Sequence, residues 1–204
     1  MDCYLNIPAL SYIGENVGET SKTLETGAGI STILFALKNT RHICITPDED
    51  EVNHIRELSG QYGISLEKVD FEIERSETAL PRLKSGDLDF ILIDGRHAFP
   101  TPFIDWFYAS SRLKTGGLLM IDDTLLYTGR VLKDFLLLEP EWGLEKDFRR
   151  TSVFIKLKEY SHKNWWKEQP YIARHSKIGK PAIIIKAWAH APGFLKRIKK
   201  AIFR

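Results

Sequence analysis

Glu25, Asp94 and the pair Asp122–Asp123 each close a short apolar run: Thr23-Leu24-Glu25, Phe90-Ile91-Leu92-Ile93-Asp94 and Leu118-Leu119-Met120-Ile121-Asp122-Asp123. Runs of this kind read as β-strands, and in an open α/β sheet ligands sit beyond the carboxyl ends of the strands. Three acidic strand ends on one edge can hold a cationic group. Carboxylates placed close together also raise one another's pKa, which favours a counterion. Glu25 is followed by Thr26-Gly27-Ala28-Gly29-Ile30-Ser31-Thr32, a glycine turn that opens a helix. Glycines let a ligand approach the backbone because no Cβ is in the way. The helix start offers unpaired N–H groups, which Glu25 can serve, or it can serve a cationic part of a ligand.

These residues need a sheet to bring them together. After a lead-in over residues 1–22, expected to hold at most a turn or two of helix, the chain alternates. Expected strands end at Glu25, cover Arg41–Thr46, Leu66–Glu72, Leu88–Asp94 and Leu118–Ile121, and finish with Trp142–Phe148 and Thr151–Lys158. Expected helices run through Ile33–Leu37, from the acidic start Asp48-Glu49-Asp50 through Val52, Ile55 and Leu58, over Glu77–Lys84 with Ser76 as cap, over most of Phe99–Lys114, and over Gly129–Leu138. Strands alternating with helices give a mostly parallel sheet with helices on both faces. Arg149-Arg150 leaves room for only a tight turn, so the last pair of strands is expected to be antiparallel.

The chain has 204 residues, 43% of them hydrophobic, enough for one α/β core. No run approaches the ~18–20 apolar residues of a membrane span. Met1-Asp2-Cys3-Tyr4 lacks the basic and apolar regions of a signal peptide. Cys3 and Cys44 are too few for a disulfide framework. A cytoplasmic protein with free thiols is the simplest expectation. The net charge of +2 hides an asymmetry: residues 160–204 carry 11 Lys and Arg against one acid, Glu168, while residues 1–159 carry 18 against 26. The expected organisation is therefore an α/β domain over residues 1–159 and a basic C-terminal extension over residues 160–204. The end of that extension, residues 186–204, suits an anionic membrane surface, to which the protein would be peripheral, or a polyanion.

Taken in order, Glu25-Thr-Gly-Ala-Gly-Ile-Ser-Thr, Leu92-Ile-Asp-Gly-Arg-His97 and Leu113-Lys-Thr-Gly-Gly-Leu-Leu-Met-Ile-Asp-Asp-Thr124 resemble the class I S-adenosylmethionine-dependent methyltransferases. The likeness is to the small group that includes catechol O-methyltransferase, and it covers roughly residues 20–158. It implies a Rossmann-like, doubly wound, mostly parallel sheet with an antiparallel last strand. It also implies S-adenosylmethionine as methyl donor and a small-molecule hydroxyl as acceptor. The cofactor-binding residues it implies are Glu25, Gly27, Gly29 and Ser31 around the turn, Asp48 at the ribose, Ser76 and Glu77 along the adenine, and Asp94. Metal-dependent members hold Mg²⁺ or another divalent cation at positions that fall on Asp94, Asp122 and Asp123, where hard carboxylate oxygens suit such an ion. His97 stands where the catechol enzymes have a lysine base. Imidazole as a side-chain type suits proton abstraction near neutrality, so His97 and Asp94 are the expected catalytic pair. The turn is shorter than in the catechol enzymes, their N-terminal covering helices are mostly missing, and the basic extension has no counterpart.

Plainer readings stand beside these. The glycines suit any tight turn, Asp94 and Asp122 suit helix caps, His97 suits an exposed loop, and the aromatics from Phe99 to Tyr108 suit a core. Trp165, Trp166 and Tyr171 with the basic end leave RNA open as a substrate, as they leave open a non-enzymatic domain docked by its last helix, or a homo-oligomer. A nicotinamide-type turn is disfavoured, because Ser31 and Thr32 stand where a further glycine is expected.

Overall fold

The computed structural model describes residues 5–176. Strands β1 (Lys22–Thr26), β2 (Arg41–Ile45), β3 (Val69–Glu72), β4 (Leu88–Ile93), β5 (Leu113–Ile121), β6 (Trp142–Asp147) and β7 (Ser152–Lys156) form one sheet in the order β3-β2-β1-β4-β5-β7-β6. The first five strands are parallel; β7 runs antiparallel to both β5 and β6. The chain winds outward from β1 to β3, then crosses to β4 on the other side of β1. The gap between β1 and β4 is thus the switch point, where a crevice opens beyond the strand ends.

Helices α1 (Ile7–Asn16) and α2 (Ile30–Leu37) pack on one face of the sheet. On the other lie α4 (Ser76–Arg82), α5 (Thr101–Ala109) and α6 (Tyr127–Leu136), while α3 (Glu49–Tyr62) flanks β2. Strand β4 shows the two cores by alternation. Phe90 and Leu92 face Ala9, Ile13 and Phe35, whereas Ile91 and Ile93 face Trp106, Leu132 and Phe135. A strand covered on both faces reads as continuously apolar for this reason.

Some elements differ from expectation. Helix α1 has ten residues instead of a turn or two. Pro8 sits in its first turn, where a missing N–H is harmless. Asn6 caps it, accepting from the Ala9 N–H at 2.9 Å, and Ala9 and Ile13 are buried. Helix α4 starts at Ser76 itself, not after it, and stops at Arg82, one residue past Pro81. Strand β5 begins five residues early, at Leu113, with Gly116 in the left-handed region at φ +82°. Residues 160–176, assigned above to the extension, pack on the domain. Tyr160 is 6% exposed in the second core, edge-on to Trp106, with Tyr171 and Ile172 of α7 (Pro170–His175) against the same cluster. The expected contacts of residues 186–204 lie outside the described residues. Among those described, no helix is long and apolar enough to cross a membrane.

Candidate functional site

A cavity of about 520 Å³ opens at the switch point, within the range of small-molecule sites. Four strand-to-helix connections line it. The β1–α2 turn supplies Thr26, Gly27 and Ala28; β2–α3 supplies Thr46, Pro47 and Asp48; β3–α4 supplies Arg75, Ser76 and Glu77; β4–α5 supplies Asp94 to His97. Of the residues expected at a cofactor, Gly27, Asp48, Ser76, Glu77 and Asp94 line this cavity, as does His97. Glu25, Gly29 and Ser31 do not.

Strand alternation explains where Glu25 went. It stands one residue before the end of β1 and points under α2, not over the sheet edge. There its carboxylate is fully buried and accepts from Ser31 Oγ at 2.7 Å and from the Thr32 hydroxyl, and it lies 3.0 Å from His42 Nε2. Thr23 Oγ1 meets the other ring nitrogen of His42 at 2.8 Å. The carboxylate therefore ties the first turn of α2 to β1 and β2. Glu25, His42 and Cys44 also form the one group of three acid, His or Cys ligand atoms within 4.8 Å of one another among the described residues. Burial and the nearby Glu25 push the Cys44 thiol far up, so with no cation present it keeps its proton. This group is a buried hydrogen-bond network behind the cavity wall.

Gly27 has φ +88°, and a Cβ there would lie 2.3 Å from the Asp94 carbonyl oxygen. The glycine lets the two loops of the switch point touch. At Gly29 a Cβ would meet nothing within 4 Å. Thr26, pointing opposite to Glu25, donates to Asp105 Oδ2 at 2.8 Å. Asp105 is buried, and desolvation pushes its carboxyl up to about 6 despite bonds from Ser76 and Thr26. It braces α5 against the cavity floor.

Beside the cavity, β4 and β5 bring Asp94, Asp122 and Asp123 to the same edge, since the Asp122 N–H continues the ladder to the Ile93 carbonyl at 3.0 Å. Burial, then the Asp122 carboxylate, push Asp94 up to about 9. Asp122 is buried and accepts from the Thr151 hydroxyl through one oxygen, while Oδ2 accepts from no donor among the described residues. Asp123, left-handed at φ +50°, is held from two sides. Arg150 Nε lies 2.6 Å from its Oδ1, and His97 Nε2 lies 3.1 Å from its Oδ2. From the sequence, Arg150 and Thr151 read as a turn residue and a strand start, with no role at the site. Both come from the tight β6–β7 turn, and a double arginine there looks like an ordinary exposed turn.

The expected divalent metal can be judged on this donor set. Asp123 Oδ1 is taken by Arg150 Nε, His97 Nε2 stands 3.1 Å from its Oδ2, and Arg150 Nε is also 4.0 Å from Asp122 Oδ2. A guanidinium stands among the carboxylates, and the three do not fit a hard cation that needs their oxygens free. The cofactor fits better. The cavity has a glycine turn on one wall, and the carboxylates Asp48, Glu77 and Asp94 suit a ligand bearing cationic and hydroxyl groups.

Comparison with known proteins agrees with this geometry. Residues 24–124 match the family described as a methyltransferase domain. The fold is similar to a methyltransferase from Geobacter sulfurreducens, at 14% identity and TM-score 0.62, over 76% of this chain and 82% of that one. It is similar to the O-methyltransferase TomG from Streptomyces achromogenes, involved in tomaymycin synthesis and solved with S-adenosylmethionine, at 14% identity and TM-score 0.61, over 77% and 83%. An rRNA methylase from Streptococcus thermophilus is similar at 14% identity and TM-score 0.56, over 74% and 95%. At such identities the likeness is one of fold. No curated protein sequence matches the chain. The chain has the fold of the S-adenosylmethionine-dependent methyltransferases, and residues 24–124 carry the match to a methyltransferase domain. Its neighbours by fold include O-methyltransferases.

Proposed function

We propose that this chain transfers a methyl group from S-adenosylmethionine to a hydroxyl oxygen of a small molecule. The observation that carries the reading is His97, which lines the cavity three residues past Asp94 and has its Nε2 3.1 Å from the Asp123 carboxylate. With Nε2 turned toward Asp123, Nδ1 would take the proton of an acceptor hydroxyl. The imidazolium that forms is then stabilised by the same carboxylate. Gly27 would admit the cofactor to the turn, Asp48 would hold its hydroxyls, Ser76 and Glu77 would flank its base, and Asp94 would face its cationic centre. When bound, the cofactor supplies a methyl group on a sulfonium, already activated for transfer, so positioning carries much of the catalysis.

The rim suits an acceptor with an aromatic or apolar body. Phe99, in the connection that carries His97, is 77% exposed, and Leu125, Leu126 and Tyr127, just after Asp123, are exposed as well. Calorimetry with S-adenosylhomocysteine tests the cofactor half, and the absence of any binding would remove the reading. Transfer of labelled methyl to a panel of phenolic and aliphatic hydroxyl compounds tests the other half. His97→Gln should slow transfer by about 10²- to 10⁴-fold and leave cofactor affinity unchanged. Full activity in that variant would take the base away from His97.

A further inference from the structure

We propose that Arg150 is the built-in counter-cation of the Asp122–Asp123 pair beside Asp94 and that its guanidinium keeps divalent metal out. The backbone aims it there. Thr124 donates to the Arg150 carbonyl from its N–H at 2.7 Å and from its hydroxyl at 2.8 Å, which pins the β6–β7 turn against the connection that follows Asp123. The side chain then reaches Asp123 Oδ1 at 2.6 Å and stands 4.0 Å from Asp122 Oδ2. With His97 beside the second oxygen of Asp123 and Thr151 on one oxygen of Asp122, an ion placed among the three carboxylates would stand against the guanidinium. A small hard cation needs about six oxygens near 2.1 Å. Here a planar, permanently charged group takes that role. Arg150 is a positioning residue: by holding one oxygen of Asp123 it turns the other toward His97. That last consequence rests on the methyl-transfer reading, whereas the cation assignment does not.

Removing the guanidinium leaves facing carboxylates whose repulsion a divalent ion relieves. Mn²⁺ is the probe, read by the loss of its free-ion electron paramagnetic resonance signal on the full chain. Wild-type protein should leave that signal at full strength. Arg150→Met should gain one site, binding Mn²⁺ at least about tenfold more tightly than wild type. Asp122→Asn should remove the gained site. Arg150→Lys, which keeps the charge, should stay metal-free. Stoichiometric Mn²⁺ binding by wild type that Asp122→Asn abolishes would overturn the proposal. So would an Arg150→Met protein that is folded by circular dichroism and gains nothing. Should Arg150→Met fail to fold, the wild-type titration decides. None of these readouts uses methyl transfer, so a failure here is distinct from a failure of the proposed reaction.

Discussion

Asp94 and Glu25 stand on neighbouring strands, and their side chains end in opposite chemistry. Glu25 is consumed by Ser31, Thr32 and His42. Asp94 lines the cavity, and burial together with Asp122 pushes it up to about 9. Ligand-free protein therefore holds the Asp94 proton through neutrality, and a cationic ligand that pairs with the carboxylate must displace it. Affinity for S-adenosylmethionine, which carries a sulfonium charge, should rise with pH through neutrality and flatten near 9, by up to ~10-fold per pH unit. S-Adenosylhomocysteine, which lacks that charge, should show a shallower dependence. Calorimetry of both ligands across this range checks it, with Asp94→Asn as the control in which the difference between the ligands loses its pH dependence. Parallel slopes in wild type would place the sulfonium away from Asp94.

At the scale of elements, the β1–α2 turn separates two glycines that look alike in sequence. Gly27 has left-handed backbone and a carbonyl 2.3 Å from where a Cβ would stand; Gly29 has extended backbone and open space. Gly27→Ala should lower stability by roughly 1–3 kcal/mol. Gly29→Ala should leave thermal stability within ~1 °C, so any loss of S-adenosylhomocysteine binding in it reports a ligand contact. A stable Gly27→Ala protein would show that the two loops can part. The parallel strands and their order of acidic ends were legible because apolar runs and breakers mark them. The N-terminal helix was less so, because Pro8 and Gly14 read as breakers while acting as a first-turn residue and a late-turn residue. Asp94 was legible from its place at a strand end, whereas Asp48, Ser76 and Glu77 after β2 and β3 came only from the family resemblance. Glu25 was not legible, since one residue of strand length decides whether a side chain faces the edge or the helix above. Arg150 was invisible for another reason: it reaches the site from a turn 27 residues beyond Asp123, and nothing local links the two.

At the scale of the whole molecule, the polar crevice contrasts with the wall that residues 160–176 build elsewhere on the sheet. Tyr160 is buried there against Trp106 and Trp142, and Lys163 reaches Glu141 Oε1 at 2.8 Å. Within this wall Glu139 is 1% exposed, and neither carboxylate oxygen is hydrogen-bonded to any of the described residues. Burial, then the charge of Glu141, push it from 4.5 up to about 7. Between those values the folded protein keeps a proton that the unfolded chain has released. Stability is therefore lost as pH rises from 4.5 to about 7 and stays at the lower level above that. Glu139→Gln replaces the carboxyl with a neutral group of the same shape. It should raise the melting temperature by ~2–6 °C at about pH 8 and leave it unchanged near pH 4, where both states of the wild-type residue are protonated. Thermal denaturation of the two proteins at the two pH values decides it. A gain of equal size at both would trace the effect to packing. A loss at the higher pH would mean that the charged carboxylate has a partner in the folded chain.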